Sequence, residues 1–225
     1  VDYSSAPVPV FNNTAQACSE IGTRQHFLGA RLRIVVGVTG ASGAIYPLRL
    51  LERLHTSAEI HLILSRSGEK TLFLETGKRA RDLKTHAHYQ WSVDDISTPL
   101  ASGSFPTDGM VISPCSIHTM SAIAHGITSN LISRAADVTL KERRRLILMV
   151  RESPLHLGHL RTMAALAEMG AIIAPPIPGF YNHPSTIEDL VDSSVDRVLD
   201  LLGLPDDKIR RWAGPEKTGP KKEEL

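Results

Sequence analysis

The stretch RIVVGVTGASGAIYPLRLLERL, Arg33 to Leu54, decides the fold. Ile34 to Val38 is an apolar run that reads as a strand buried on both faces. Thr39-Gly40-Ala41-Ser42-Gly43 then turns the chain through small residues, and a helix follows to Leu54. Such a loop sets unpaired backbone N–H groups and a hydroxyl at the mouth of a helix, where the dipole favours an anion.

Working outward, the same alternation recurs. Strands are expected at Arg33–Thr39, Glu59–Leu64, Gly109–Ser113, Leu146–Val150 and Ala171–Ala174. Helices are expected at Gly43–Leu54, Gly68–Glu75, Ile117–His125, Leu131–Arg143, Leu157–Met169 and Thr186–Leu202. Short strands, apolar on both faces and separated by helices, predict a parallel sheet covered on both sides. The fold class is therefore α/β, a doubly wound Rossmann/flavodoxin-like sheet. Residues 76–104 read as the longest irregular region. Residues 1–30 read as an N-terminal extension, 31–213 as one domain and 214–225 as a polar tail.

Composition narrows the function classes. A net charge of +1 over 225 residues gives no global drive toward nucleic acid. The run Arg143-Arg144-Arg145 follows a predicted helix, where cations complement the C-terminal dipole. Cys18 and Cys115 are too few for a disulfide framework and point to a reducing compartment. No apolar stretch reaches the roughly 18 residues of a membrane span. A cytoplasmic location is expected, with a mitochondrial one left open by the unassigned residues 1–30.

Ligands of such sheets bind beyond the carboxyl ends of the strands. Four ends are chemically suggestive: TGASG (Thr39–Gly43), SRSG (Ser65–Gly68), SPCSIHT (Ser113–Thr119) and RESP (Arg151–Pro154). Ser42, Ser65 and Ser116 each read either as a helix N-cap or as a phosphate contact. Three on one sheet edge favour a phosphate-bearing ligand. The first loop lacks the Lys-Ser/Thr of a P-loop. The second strand ends in Ser65 with no acidic residue for a dinucleotide ribose, so a mononucleotide fits better than NAD.

GVTGASGAIYPLRLLERL, LSRSGEKTLFLET, the long run from ASGSFPTDGMVISPCSIHT through SRAADVTLKERRRLILMVRESPLHLGHL, and GAIIAPPIPGFYNHP resemble the flavin prenyltransferase family of UbiX/Pad type. The resemblance spans about residues 32–213. It implies transfer of a dimethylallyl group from dimethylallyl monophosphate to reduced FMN without a metal, giving the prenylated FMN used by UbiD-type decarboxylases. It also implies a homo-oligomer, a dodecamer built from trimers with sites at subunit contacts.

Carried over residue by residue, the resemblance implies that Gly40, Ala41, Ser42, Ser65, Ser116, Ile117, His118, Thr119 and Arg151 hold FMN. Tyr181 and Arg197 grip the donor phosphate, with Lys141 beside them from the same or a neighbouring subunit, and Arg134 and Trp212 are further candidates. Glu75 and Glu152 are the implied acid–base carboxylates, Glu152 foremost, with Ser42 and Lys141 as further catalytic candidates. Each has a plainer reading: Glu75 as a solvent-facing helix end, Glu152 as a partner of Arg151 or of a helix N-terminus, Ser42 as a cap. Arg197 falls between the apolar face Ile187, Leu190, Val191, Val195, Val198 and the acidic face of its helix, free to reach a cleft or to pair with Asp200. Two positions depart from the family pattern, Gly77 where Asp is common and His118 where Lys or Gly is common.

Rival readings are an FMN-dependent cysteine decarboxylase and a non-catalytic FMN-binding protein. The first is disfavoured because PCSIHT replaces its Asn-containing loop and no PxMNxxMW-like motif occurs. The second leaves Glu75, Lys141, Glu152, Tyr181 and Arg197 without a purpose.

Overall fold

Period-2 alternation within each strand sorts the sheet's two faces. The computed structural model describes residues 31–180 and 183–204. Strands β1 (Leu32–Val38), β2 (Ala58–Leu64), β3 (Tyr89–Ser92), β4 (Gly109–Cys115), β5 (Arg145–Val150) and β6 (Ile172–Ile173) form one six-stranded parallel sheet in the order β3-β2-β1-β4-β5-β6. Ile34, Val36, Val38, Ile147 and Met149 face one apolar layer, while Val35, Met110, Leu146, Leu148 and Val150 face the other. Both layers are built of buried apolar side chains, as expected for a sheet with helices on both sides.

The first layer is completed by α1 (Ile45–Leu54), α2 (Arg66–Thr76), α3 (Ala80–Lys84) and α7 (Ile187–Leu202). The second holds α4 (Ile117–Ala124), α5 (Leu131–Lys141) and α6 (Leu157–Glu168). Helix α7 is locked onto α1 by Arg49, whose guanidinium donates to both carboxylate oxygens of Asp192 at 2.5 and 2.9 Å. A bidentate pair of this kind fixes orientation as well as charge.

Most expected elements lie within two residues of their observed bounds. Residues 76–104 are the exception: they contain α3, the edge strand β3 and a 3-10 turn at Pro99–Ala101. Strand β3 (YQWS) is four residues long and mostly exposed, so it lacks the apolar signature of the inner strands. It is held instead by the ladder to β2 and by stacking of Tyr89 and Trp91 on the buried His61 at 4.8 and 5.9 Å. The departure at Gly77 is a helix stop: with φ 70° it is the left-handed cap of α2, its N–H bonded to the Phe73 carbonyl. A left-handed residue is far easier for Gly than for Asp.

The order β3-β2-β1 then β4-β5-β6 reverses between β1 and β4. There the connections leave in opposite directions and a crevice opens at the carboxyl ends, the place where such sheets bind ligands.

Candidate functional site

Three loops meet at that crevice. Thr39, Gly40, Ser65, Ser67, Ser116, His118, Thr119, Asn130 and Ile132 line an open cleft of about 250 Å³. Ser65 and Ser116 are true N-caps: Ser65 Oγ accepts from the Gly68 N–H at 2.9 Å and Ser116 Oγ from the Thr119 N–H at 3.3 Å. The N-termini of α2 and α4 are thus presented together, and each leaves backbone N–H groups for an anion. His118 is exposed at the start of α4 and lines the cleft.

Gly40 is set by a close approach. A Cβ there would stand 2.5 Å from Ser67 Cβ, so any side chain would collide with the N-terminal turn of α2. The Thr71 hydroxyl donates to the Gly40 carbonyl at 3.2 Å, fastening the loop to that helix. The loop after β1 can lie this close to the head of α2 only because no side chain stands between them.

Ser42 does not cap α1, whose N-cap is Ala44 with no side-chain cap bond. That office falls to Glu75, which reaches across from α2. Its Oε2 accepts the N–H groups of Gly43 at 2.9 Å and Ala44 at 2.8 Å, so Glu75 is not an idle helix end. Partial burial pushes its pKa up, but the Ala44 N–H, the Ser42 hydroxyl, the Gly43 N–H and the charge of Arg151 outweigh this and hold it below the ordinary carboxylate range. Ser42, Glu75 and Arg151 are therefore one cluster beside the cleft.

Arg151 and Glu152 follow β5 at the same carboxyl edge, both exposed. The Arg151 N–H donates to the Cys115 carbonyl at 3.1 Å, tying this loop to the one after β4. The Glu152 carboxylate accepts from the Ser153 N–H at 3.0 Å, a local turn contact distinct from the pairing with Arg151 that its plainer reading offered. Cys115 supplies no nucleophile: burial pushes its thiol up to about 12, so it stays protonated.

The remaining expected residues do not all converge. Arg197, exposed on α7, lines a second cleft of about 190 Å³ with Met149, Ala174, Pro175 and Ser194. Arg134 donates to Asp137 at 2.8 Å and to the Ala101 carbonyl at 3.1 Å. Lys141 is ion-paired with Glu142 at the far end of α5 from Asn130. Eleven helical residues carry it about 16 Å from the cleft, toward the amino edge of the sheet. Tyr181 and Trp212 lie outside the described residues. Asn130 and Ile132 line the cleft without having been expected there, and Thr39 and Ser67 line it from loops expected at the ligand without having been singled out as contacts. Asn130 carried a signal, three residues before Ser133 at the start of an amphipathic run, as the capping box it forms.

No group of three or more His, Cys, Asp or Glu among the described residues could hold a metal ion, and no described helix is long and apolar enough to cross a membrane. A doubly wound sheet with two helix N-termini and a side-chain-free glycine at its switch point defines a phosphate-binding α/β protein of mononucleotide type. The chain matches the Flavoprotein family over residues 27–199, and by its relatives it belongs within that family to the UbiX flavin prenyltransferases. It is 50% identical over 186 residues to "Flavin prenyltransferase UbiX" of Escherichia coli (strain K12), covering 81% of this chain and 98% of the relative. The crystal structure of AnUbiX (PadA1) in complex with FMN and dimethylallyl pyrophosphate superposes with a TM-score of 0.81 at 45% identity, over 82% of this chain and 99% of that one. A dodecameric FMN-dependent UbiX-like decarboxylase from Escherichia coli O157:H7 gives a TM-score of 0.79 at 44% identity, over 81% and 100%.

Proposed function

We propose that the protein is a flavin prenyltransferase that binds reduced FMN in the β1/β4 crevice and transfers to it the dimethylallyl group of dimethylallyl monophosphate. The observation that carries this reading is the convergence of Gly40, Ser65, Ser116 and Thr119 on one cleft at the strand-order reversal. Hydroxyls and helix N-termini there suit a phosphomonoester, and the missing side chain of Gly40 lets the first loop pack against the head of α2 beside them. Reduced FMN, when bound, would supply N5, which bonds to the allylic carbon as phosphate leaves with the electron pair of the C–O bond, and C6, which bonds to the far alkene carbon once the double bond has taken up a proton and then loses its own hydrogen as a proton.

The chain's own residues then bind, neutralise and move protons. Arg151 sits beside the Gly43 loop and complements the negative charge of FMN. Arg197 and Tyr181 hold the donor phosphate and stabilise charge that grows as it departs. Glu152 takes up the proton released when the flavin carbon is substituted. Glu75, held ionised, orders the Ser42–Ala44 turn and keeps a negative charge beside the developing allylic cation. His118 lies within reach of the flavin phosphate at the mouth of α4.

The product serves a UbiD-type decarboxylase, and the assembly is a homo-oligomer, a dodecamer like the UbiX-like relative described with that stoichiometry. The prenyltransferase-like domain is proposed to span 31–213, and the enzyme to act in the cytoplasm. Incubation with reduced FMN and dimethylallyl monophosphate, followed by mass analysis of the flavin, tests the reading. A flavin heavier by one dimethylallyl group is expected; unchanged FMN, with binding intact, would leave an FMN-binding protein without this chemistry.

A further inference from the structure

We infer that Thr39 is a positioning residue for flavin binding: its buried hydroxyl sets the distance between the first and third phosphate-side loops. The inference rests on the proposed binding of FMN in the β1/β4 crevice. Thr39 is 3% exposed and follows directly on β1. Pairing between β1 and β4 ends at Gly37 and Ile112, so beyond them no ladder pair joins the two strands. The register of β4 against β5 also shifts between Ile112 and Cys115, and the crevice opens there.

The Thr39 side chain spans this opening. Its Oγ1 donates to the Pro114 carbonyl at 2.7 Å and accepts from the Ser116 N–H at 2.9 Å. One hydroxyl therefore replaces a ladder step, with both its donor and its acceptor capacity in use. On the other side of β1, the Ser65 N–H donates to the Val38 carbonyl at 3.0 Å. Two consecutive residues thus moor β1 to both flanking loops, and Ser65 and Ser116, the two caps that face the cleft, are the residues moored.

The link to Ser116 gives the contact a functional consequence. Ser116 Oγ receives the Thr119 N–H and lies 3.1 Å from Thr119 Oγ1, so its placement sets the direction of the first turn of α4. Moving the Ser116 amide by the width of a missing hydrogen bond would turn that helix end away from Ser65. A ligand spanning both caps would feel the change, whereas the cleft lined by Arg197 shares no residue with this one. Only a small residue with a hydroxyl meets the demand. Valine matches the shape but leaves the Pro114 carbonyl and the Ser116 N–H unpartnered.

The test compares Thr39→Val and Thr39→Ser with the parent by FMN fluorescence titration and prenylation kinetics. The parent must first bind FMN; if it does not, the proposed function fails and the role of Thr39 falls with it. Given binding, Thr39→Val should raise the FMN Kd about tenfold or more, with the KM for dimethylallyl monophosphate unchanged within twofold. Thr39→Ser should bind FMN within about threefold of the parent. A Thr39→Val protein that binds FMN as the parent does, or that raises both constants equally, overturns the proposal. Should Thr39→Val not fold, Thr39→Ala is read by the same criteria. If neither folds, the hydroxyl serves the fold and the proposal is equally overturned.

Discussion

Glu75 ends α2, yet its carboxylate takes two N–H groups at the head of α1, a contact between residues more than thirty positions apart. Its ordinary reading from sequence, a polar residue on an exposed helix end, follows from local spacing alone and cannot see the facing loop. Linkage gives the pH sense. A carboxyl held low in the folded state contributes stability above its unfolded value, near 4.3, and loses it as pH falls through the folded value. Glu75→Gln should therefore lower the urea midpoint at pH 7, by an amount equivalent to at most about 1 kcal/mol because the site is solvent-screened. Parent and variant should converge as the pH is brought toward 3. Denaturation curves at the two pH values decide it, and a constant offset would mean that charge is not what Glu75 contributes.

At the scale of elements, the strands buried on both faces were legible because apolar runs of Val, Ile and Leu repeat with the same flanking turns. Strand β3 was not, since an edge strand of four residues is stabilised by cross-strand partners and not by its own pattern. Capping chemistry was legible at Ser65 and Ser116, where the cap and its target lie three residues apart. It failed at Ser42, where the donors of α1 are claimed from outside. The contact of Gly40 with Ser67 is of the second, long-range kind and can be tested by compensation. Gly40→Ala should drive Ser67 back, cut FMN affinity and lower the melting temperature by several degrees. Ser67→Gly removes the two side-chain atoms that collide, and the next nearest atom, the Ser67 carbonyl carbon, stands 3.2 Å from the new Cβ. The double variant should recover much of both losses, a non-additivity expected only of residues in contact. Additive effects would place the strain elsewhere.

For the whole molecule, the direction of each helix limits which residues can share one site within a single chain. Asn130 opens α5 at the cleft, and β5 begins four residues after the helix ends, at the edge of the sheet where β4 also starts. Lys141 therefore faces away from its own crevice, and nothing in the spacing of a linear sequence reveals this. The proposed role of Lys141 beside the donor phosphate would require a neighbouring copy of the chain. Complementation makes that requirement measurable. Lys141→Ala and Glu75→Gln, each purified alone, should prenylate FMN at least about tenfold more slowly than the parent: the first loses a charged contact to phosphate worth about 1.5–3 kcal/mol, the second the negative charge beside the developing cation. Co-expressed chains carrying one change each would form some sites with a native Glu75 from one chain and a native Lys141 from another. Activity in the mixed oligomer should then rise well above that of either parent variant. If differently tagged chains co-purify and activity does not rise, Lys141 does not act across a subunit boundary, and its pairing with Glu142 at the end of α5 is its full role.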